Sequence, residues 1–227
     1  MRTFLFVVWF GLVSAMAFAD KTLVQKVQTG AMMGQPAHSD TMTWAIKGSK
    51  ARMDFGKISQ IIDLDAHKVY KIDAANKHIM VMSTDLSKET ADMISKVGAD
   101  TKIDVRNTGK TETIDGYKCK EYVMTMSGPM SMVTTFWMTQ DIDAKEFERF
   151  KTFGMQMPKM RGSESMADMK GIPIKSTSKT TLMGKVIDSS TEMQSVSSDS
   201  VSASLFDLPK DYKVIDIPTM PAGKPQR

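Results

Sequence analysis

Between residues 41 and 47, Met42, Trp44 and Ile46 alternate with Thr41, Thr43, Ala45 and Lys47. This two-residue period predicts a strand with one apolar and one wet face. Similar runs follow at 52–55, 59–64, 68–72 and 78–82, separated in part by Asp65-Ala66-His67 and Asp73-Ala74-Ala75-Asn76. Those side chains favour turns, and links this short leave no room for crossover helices, so the pattern predicts an antiparallel meander. The period then changes: Leu86, Thr90, Met93, Ile94 and Val97 recur at the spacing of one helical face. Thr84 or Asp85 is placed to cap this short amphipathic helix and Gly98 to stop it.

Strands resume at 102–113 and 117–126 around Asp115-Gly116, a strong hairpin signal, and at 130–139 after Ser127-Gly128-Pro129. A second helix is predicted from Asp143, with Glu146 at capping-box spacing and Phe147, Phe150 and Phe153 along one side. The stretch 154–171 carries Met155, Met157, Met160, Met166 and Met169 among Pro158, Gly162 and charged residues, with no regular period. It reads as a mobile flap or a broken helix. A strand pair at 172–183 and 185–196 turns at Gly184, and a helical turn at 204–208 and an extended piece at 212–217 follow. The order predicts a mainly β chain of the α+β type: a curved antiparallel half-barrel sheet with two or three short helices on its concave side.

Ahead of these elements, Arg2 precedes the apolar run 4–13 and then the small-residue stretch 14–19. That is the layout of a secretory signal, with Ala17 and Ala19 at the two positions a signal peptidase reads. The run is short of the ~20 apolar residues needed to cross a bilayer. Cleavage between Ala19 and Asp20 would place the product in the periplasm or outside the cell. The expected organisation is a signal peptide at 1–19, one domain at 20–217 and a flexible tail at 218–227 containing Pro218, Pro221 and Pro225.

Charge adds an exclusion. The net charge of +4 is spread along the chain without a basic stripe interleaved with aromatics, which argues against nucleic acid as a partner. The single cysteine, Cys119, cannot form an internal disulfide. No phosphate loop, His-Glu-x-x-His, Cys-x-x-Cys or Gly-x-Ser-x-Gly arrangement is present, so ordinary catalysis is not expected. Asp63, Asp65 and His67 alternate and could share a face for a divalent metal, but these residue types also build ordinary turns. Cys119 between Lys118 and Lys120 could form a thiolate, but a lone cysteine also serves as a small buried hydrophobe. No metal or cofactor is therefore assigned.

Methionine is the unusual number: 22 in the chain, of which only Met1 and Met16 fall in the signal. Thioethers fill cores, form adaptable apolar surfaces and can ligate Cu(I). The pairs Met124 and Met126, Met130 and Met132, Met155 and Met157, and Met166 and Met169 are spaced to bring two sulfurs together. A segment with five methionines and no period is a poor core element, which favours an apolar surface that meets a ligand.

Several stretches are familiar: 61–65 continuing to 69–73, Thr108-Gly109-Lys110, Ile114-Asp115-Gly116-Tyr117-Lys118-Cys119-Lys120, Trp137-Met138-Thr139, Gly171-Ile172-Pro173-Ile174-Lys175, and Ser204-Leu205-Phe206-Asp207-Leu208-Pro209 before Tyr212. Together they resemble an exported bacterial family known as domain of unknown function 4412. That family is in turn similar in layout to periplasmic lipoprotein carriers of the LolA and LppX kind, whose curved sheet wraps helices around an apolar cavity for acyl chains. The resemblance implies a binding protein for a hydrophobic small molecule, a lipid or a lipoprotein, with peripheral membrane contact compatible with that role. It transfers no catalytic residue. On this reading the strand residues lining the cavity are Met42, Trp44, Ile46, Met80, Met82, Phe136 and Met138. The helix residues are Leu86, Ile94, Val97, Phe147 and Phe150, and Met155, Met157 and Met160 form a gate. The alternatives are a thioether copper handler and an envelope docking or structural protein without a ligand.

Overall fold

The computed structural model describes residues 20–31, 36–85, 100–143, 145–154, 161–182 and 184–216. Twelve strands form one large, open, curved sheet. They are β1 (Lys21–Thr29), β2 (His38–Lys47), β3 (Lys50–Phe55), β4 (Ile58–Asp63), β5 (Lys68–Asp73), β6 (His78–Ser83), β7 (Lys102–Ile114), β8 (Tyr117–Ser127), β9 (Ser131–Thr139), β10 (Ile172–Leu182), β11 (Lys185–Ser197) and β12 (Lys213–Asp216). Their order in the sheet is β12-β6-β5-β4-β3-β2-β1-β11-β10-β9-β8-β7. Among the twelve described strands every pairing is antiparallel except that of β12 with β6, where the C-terminal piece expected at 212–217 adds a parallel edge. The helix α1 spans Lys145–Gly154. The helix predicted at 86–97 lies outside the described residues, as do residues 155–160 of the predicted flap.

The meander β2–β6 and the hairpins of β7–β9 follow the predicted order because their turns are local. The β4–β5 and β5–β6 turns use one device twice. Asp63 accepts hydrogen bonds through Oδ1 from the amides of Asp65 and Ala66, and Asp73 does the same with Ala75 and Asn76. Each turn then passes through a left-handed residue, His67 or Lys77, four positions after its aspartate. The β7–β8 connection is a two-residue loop, Asp115-Gly116, with positive φ at both positions, matching the twist of the flanking strands.

β1 was not expected from the alternation, because the polar Gln25 and Lys26 interrupt it. It occupies the middle of the sheet, pairing along its length with β2 on one side and β11 on the other. Leu23 and Gln25 are buried there. Asp20, just before β1, accepts hydrogen bonds from Lys47 Nζ and from the Val201 amide, both at 2.7 Å.

Paired residues on adjacent strands point to the same side, so register assigns the faces. One face carries Ile46, Ala51, Ile62 and Val69 against Phe150 of α1, and Leu23, Cys119, Ile172, Ile174 and Met193 beside them. Trp44 and Phe147 contact both groups and join them into one core. The opposite face is covered in two places. Val201, Phe206, Leu208 and Tyr212 pack over Ala45, Ile61, Ile72, Ile79 and Val81, while Met166 and Met169 pack over Tyr122, Phe136 and Met138. Of the stretch read as a flap, residues 163–168 thus form a short 3-10 helix docked on the sheet, with Met169 buried.

Two predictions follow from this architecture. Gly171 has a φ of +90°, and a Cβ there would stand 1.9 Å from the Thr139 carbonyl oxygen, whereas a Cβ at Gly116, φ +84°, meets nothing within 4 Å. Gly171→Ala should therefore lower unfolding free energy in urea by at least about 3 kcal/mol, against about 1–2 kcal/mol for Gly116→Ala. Equal losses would refute the close approach. The second concerns Asp63. Burial works against its ionisation, but the Ala66 amide, the Lys50 ammonium at 3.1 Å and the Asp65 amide outweigh it and hold the carboxyl below its usual value. A carboxyl lowered by folding contributes stability above its unfolded pKa, about 3.9, and loses it as pH falls through the folded value. Denaturation midpoints measured from pH 6 to pH 3 should fall less steeply for Asp63→Asn than for the wild type.

Candidate functional site

The helix-bearing face is built from β2 outward. Trp44 stands opposite Met53 on β3, Met53 opposite Gln60, Gln60 opposite Lys71, and Lys71 opposite Met80. These residues form one row across five strands. A second row, two residues along, runs Met42, Phe55, Ile58, Asp73, His78. A third row on the other side of Trp44 runs Ile46, Ala51, Ile62, Val69, Met82 and lies beneath α1.

The helix forms where Asp143 Oδ1 accepts from the Lys145 amide, with Glu146 and Glu148 in the first turn favouring its N-terminal dipole. Phe147 and Phe150 are spaced to share one side. Phe147 meets Trp44 edge to face, with ring centroids 6.1 Å apart and planes at 81°. Arg149 donates to the Gly48 carbonyl in the β2–β3 turn at 3.2 Å, which fixes the helix against the sheet end. Glu146 is buried in this layer, and its Oε2 has no hydrogen-bond partner.

Coverage by α1 ends near the Trp44 row. Met42, Met53, Phe55 and Met80 are half-buried and Ile58 is 41% exposed, leaving a strip of apolar side chains beside the helix. Lys71 sits in that strip, half-buried, and among the described residues it has no hydrogen-bond or ion-pair partner. Three other lysines of the meander are ion-paired, Lys47 with Asp20, Lys50 with Asp63 and Lys77 with Asp211, while Lys57 and Lys68 are exposed.

The structure brings together part of the predicted lining. Met42, Trp44, Ile46, Met80 and Met82 share the helix-bearing face with Phe147 and Phe150. Ile46 and Phe150 are, however, fully packed core at 0% and 4% exposure, so they support the face and line no open space. Phe136 and Met138 are separated from the rest. Met138 follows Trp137, which packs with Cys119 on the helix-bearing face, so Met138 and Phe136 point to the opposite face, against Tyr122 and Met169. Leu86, Ile94, Val97, Met155, Met157 and Met160 lie outside the described residues. Met53, Phe55, Ile58 and Lys71 were missed. The alternation in 52–55 marked Met53 and Phe55 as a pair of positions, but only the β2–β3 register sets them beside Trp44 and Met42.

An open cleft of about 700 Å³ lies elsewhere, near the ends of β1, β2, β10 and β11. Its walls include Gln28, Ser39, Thr177, Ser190 and Lys179, a polar set unlike the apolar cavity expected from the sequence. Among the described residues no group of three His, Cys, Asp or Glu could hold a metal ion. Asp63 is engaged by Lys50 and two turn amides, Asp65 by Ser49, and His67 by Asp85, so the alternating trio builds turns. Cys119 is 1% exposed, and burial pushes its thiol up, away from the thiolate. Among the described residues no helix is long and apolar enough to cross a membrane.

Solved structures similar to this chain include PNGF-II, at 15% identity and a TM-score of 0.43, with 87% of this chain and 31% of that protein covered. The chain thus spans under a third of that protein's length. A putative outer membrane lipoprotein-sorting protein domain from Vibrio parahaemolyticus matches at 8% identity and a TM-score of 0.35, covering 83% of this chain and 89% of that one. A LolA superfamily protein from Nitrosomonas europaea matches at 8% identity and a TM-score of 0.34, covering 84% and 90%. No curated protein matches the chain. The model of the family described as domain of unknown function DUF4412 matches residues 30–212, through all the elements from β2 to the segment before β12, and the chain belongs to that family.

Proposed function

We propose that this chain is an exported binding protein that holds an anionic amphiphile, an acyl chain with an acidic head, on the helix-bearing face of its sheet. The observation that carries this reading is Lys71: a half-buried lysine without a partner among the described residues, set in a strip formed by Met42, Trp44, Met53, Phe55 and Met80. A half-buried charge is costly to leave unpaired, and an apolar strip beside it favours a ligand with a charged head and a hydrocarbon body. Methionine suits such a wall because its unbranched side chain adapts to a tail of variable shape.

Magnitudes are consistent with useful affinity. Covering about ten methylenes yields roughly 8 kcal/mol, and a charge-assisted hydrogen bond to Lys71 adds about 1.5–3 kcal/mol. Association costs of at least about 4 kcal/mol offset part of this, leaving at most about 5.5–7 kcal/mol, a dissociation constant on the order of 10–100 μM or weaker. The leader at 1–19 supports action after export, and the role is binding without catalysis. His38 is paired with Asp40 and His67 with Asp85, both at the surface, while His78 stands opposite Asp73 in the second row of the helix-bearing face.

Titration of the processed protein with a long-chain fatty acid, followed by tryptophan emission, should show saturable binding. Lys71→Gln should weaken binding of the acid about tenfold and leave binding of its methyl ester unchanged. If acid and ester bind the wild type equally, Lys71 does not receive the head; if neither binds, the amphiphile reading fails. Met53→Ser with Phe55→Ser should weaken acid and ester alike without loss of fold. Ile46→Ala, beneath α1, should instead lower stability by about 2–5 kcal/mol, seen as a lower thermal midpoint.

A further inference from the structure

The face away from α1 carries a different chemistry. The β8–β9 hairpin brings two methionine pairs, separate in sequence, onto this one surface. Met126 stands directly opposite Met132, and Met124 stands opposite Thr134, one step further along the same side. Residues directly opposite have Cβ atoms about 4.5–5.5 Å apart, and the diagonal between Met124 and Met132 is about 7–8 Å. Both separations are within reach of the long methionine side chain. Met130 sits in the short loop that closes the hairpin, immediately beyond the Met126–Met132 pair, and is 37% exposed. Met126 and Met132 are half-buried and Met124 is buried.

Core packing alone accounts poorly for this group. Strand positions that only need apolar volume favour β-branched and aromatic residues, as β4 shows with the buried Ile61 and Ile62. Met126, Met130 and Met132 are all at least partly open to solvent, so they complete no core. What they share is an uncharged, polarisable sulfur. Thioethers are weak ligands for hard cations such as Ca²⁺ and Mg²⁺ and good ones for soft Cu(I). We propose that Met124, Met126 and Met132, with Met130 on the solvent side, form a thioether site for Cu(I).

The site is independent of the amphiphile reading, since it lies on the opposite face of the sheet and on other strands. Three properties distinguish it. Thioethers carry no proton to lose, so Cu(I) affinity should be nearly constant from pH 7 to pH 4.5, whereas an imidazole or thiolate site would weaken by orders of magnitude. Cys119 lies on the helix-bearing face and should be dispensable. The metal should have sulfur neighbours and no imidazole.

The test is anaerobic competition of the processed protein with a chromophoric Cu(I) chelator, at pH 7 and pH 4.5. One equivalent of Cu(I) should be retained at both values. Met126→Leu with Met132→Leu conserves side-chain volume and should weaken binding at least tenfold, with an unchanged circular-dichroism melt confirming the fold. Cys119→Ser, and a variant with leucine at Met155, Met157 and Met160, should bind as the wild type does. X-ray absorption at the copper edge should fit a sulfur-only shell. Absence of competition by the wild type overturns the proposal. So does full binding by the Met126/Met132 variant, loss of binding at pH 4.5, or a nitrogen shell.

Discussion

The sheet depends on β1. Its hydrogen-bond ladders to β2 and β11 are the connection between two halves that would otherwise meet only through side chains. One half, β2–β6 with β12, is a local meander; the other, β7–β11, is assembled from hairpins with α1 inserted between β9 and β10. Because β1 comes first among the described elements and its partner residues on β11 lie near 189–197, this pairing spans most of the chain. Closing so long a loop carries a large entropic cost, which is met only when both ladders form. Asp20 reinforces the junction by joining the end of β2, through Lys47, to the segment that covers the other face, through the Val201 amide.

Once β1 aligns the halves, side chains on both sides become a single layer. Trp44 and Phe147 occupy the point where the two packed groups of the helix-bearing face meet. The indole contacts the meander and the second half at once, so the seat of α1 is defined by both. The cover that the described residues give each face is partial. α1 protects one row of the meander, the C-terminal segment protects the back of the same strands, and 161–169 protects the back of β8 and β9. What the covers leave open differs in kind: an apolar strip with an unpaired lysine on one face, and a group of thioethers on the other.

Much of the strand order was legible in advance, and the reason is local. The turns at 63–67 and 73–77 are made by an aspartate bonding amides two and three residues on, an interaction contained within the turn itself. Asp115-Gly116 likewise dictates its hairpin from two residues. β1 was invisible because Gln25, which is buried, reads as a wet position, and its partners are distant. Phe136 and Met138 were named with the helix-side strand residues but face away from α1; 130–138 carries apolar residues on both parities, so alternation could not choose a face. Lys71 was not singled out, for another reason. One lysine among many has no signature until its neighbours' partners are known.

The amino-acid sequence by itself determined the periods, the turns, the antiparallel order of the meander and the surplus of thioethers, all of which arise from interactions within a few residues. Only the tertiary structure decided which face each strand turns toward α1. Burial of a face depends on the segment that covers it, and 145–154, 161–169 and 201–212 are far along the chain from most of the strands they cover. The same dependence made Lys71 an unpaired cation in an apolar strip and set Met126 opposite Met132. Register between strands converts a list of side chains into neighbours, and a shift of a single residue would have sent each of them to the other face.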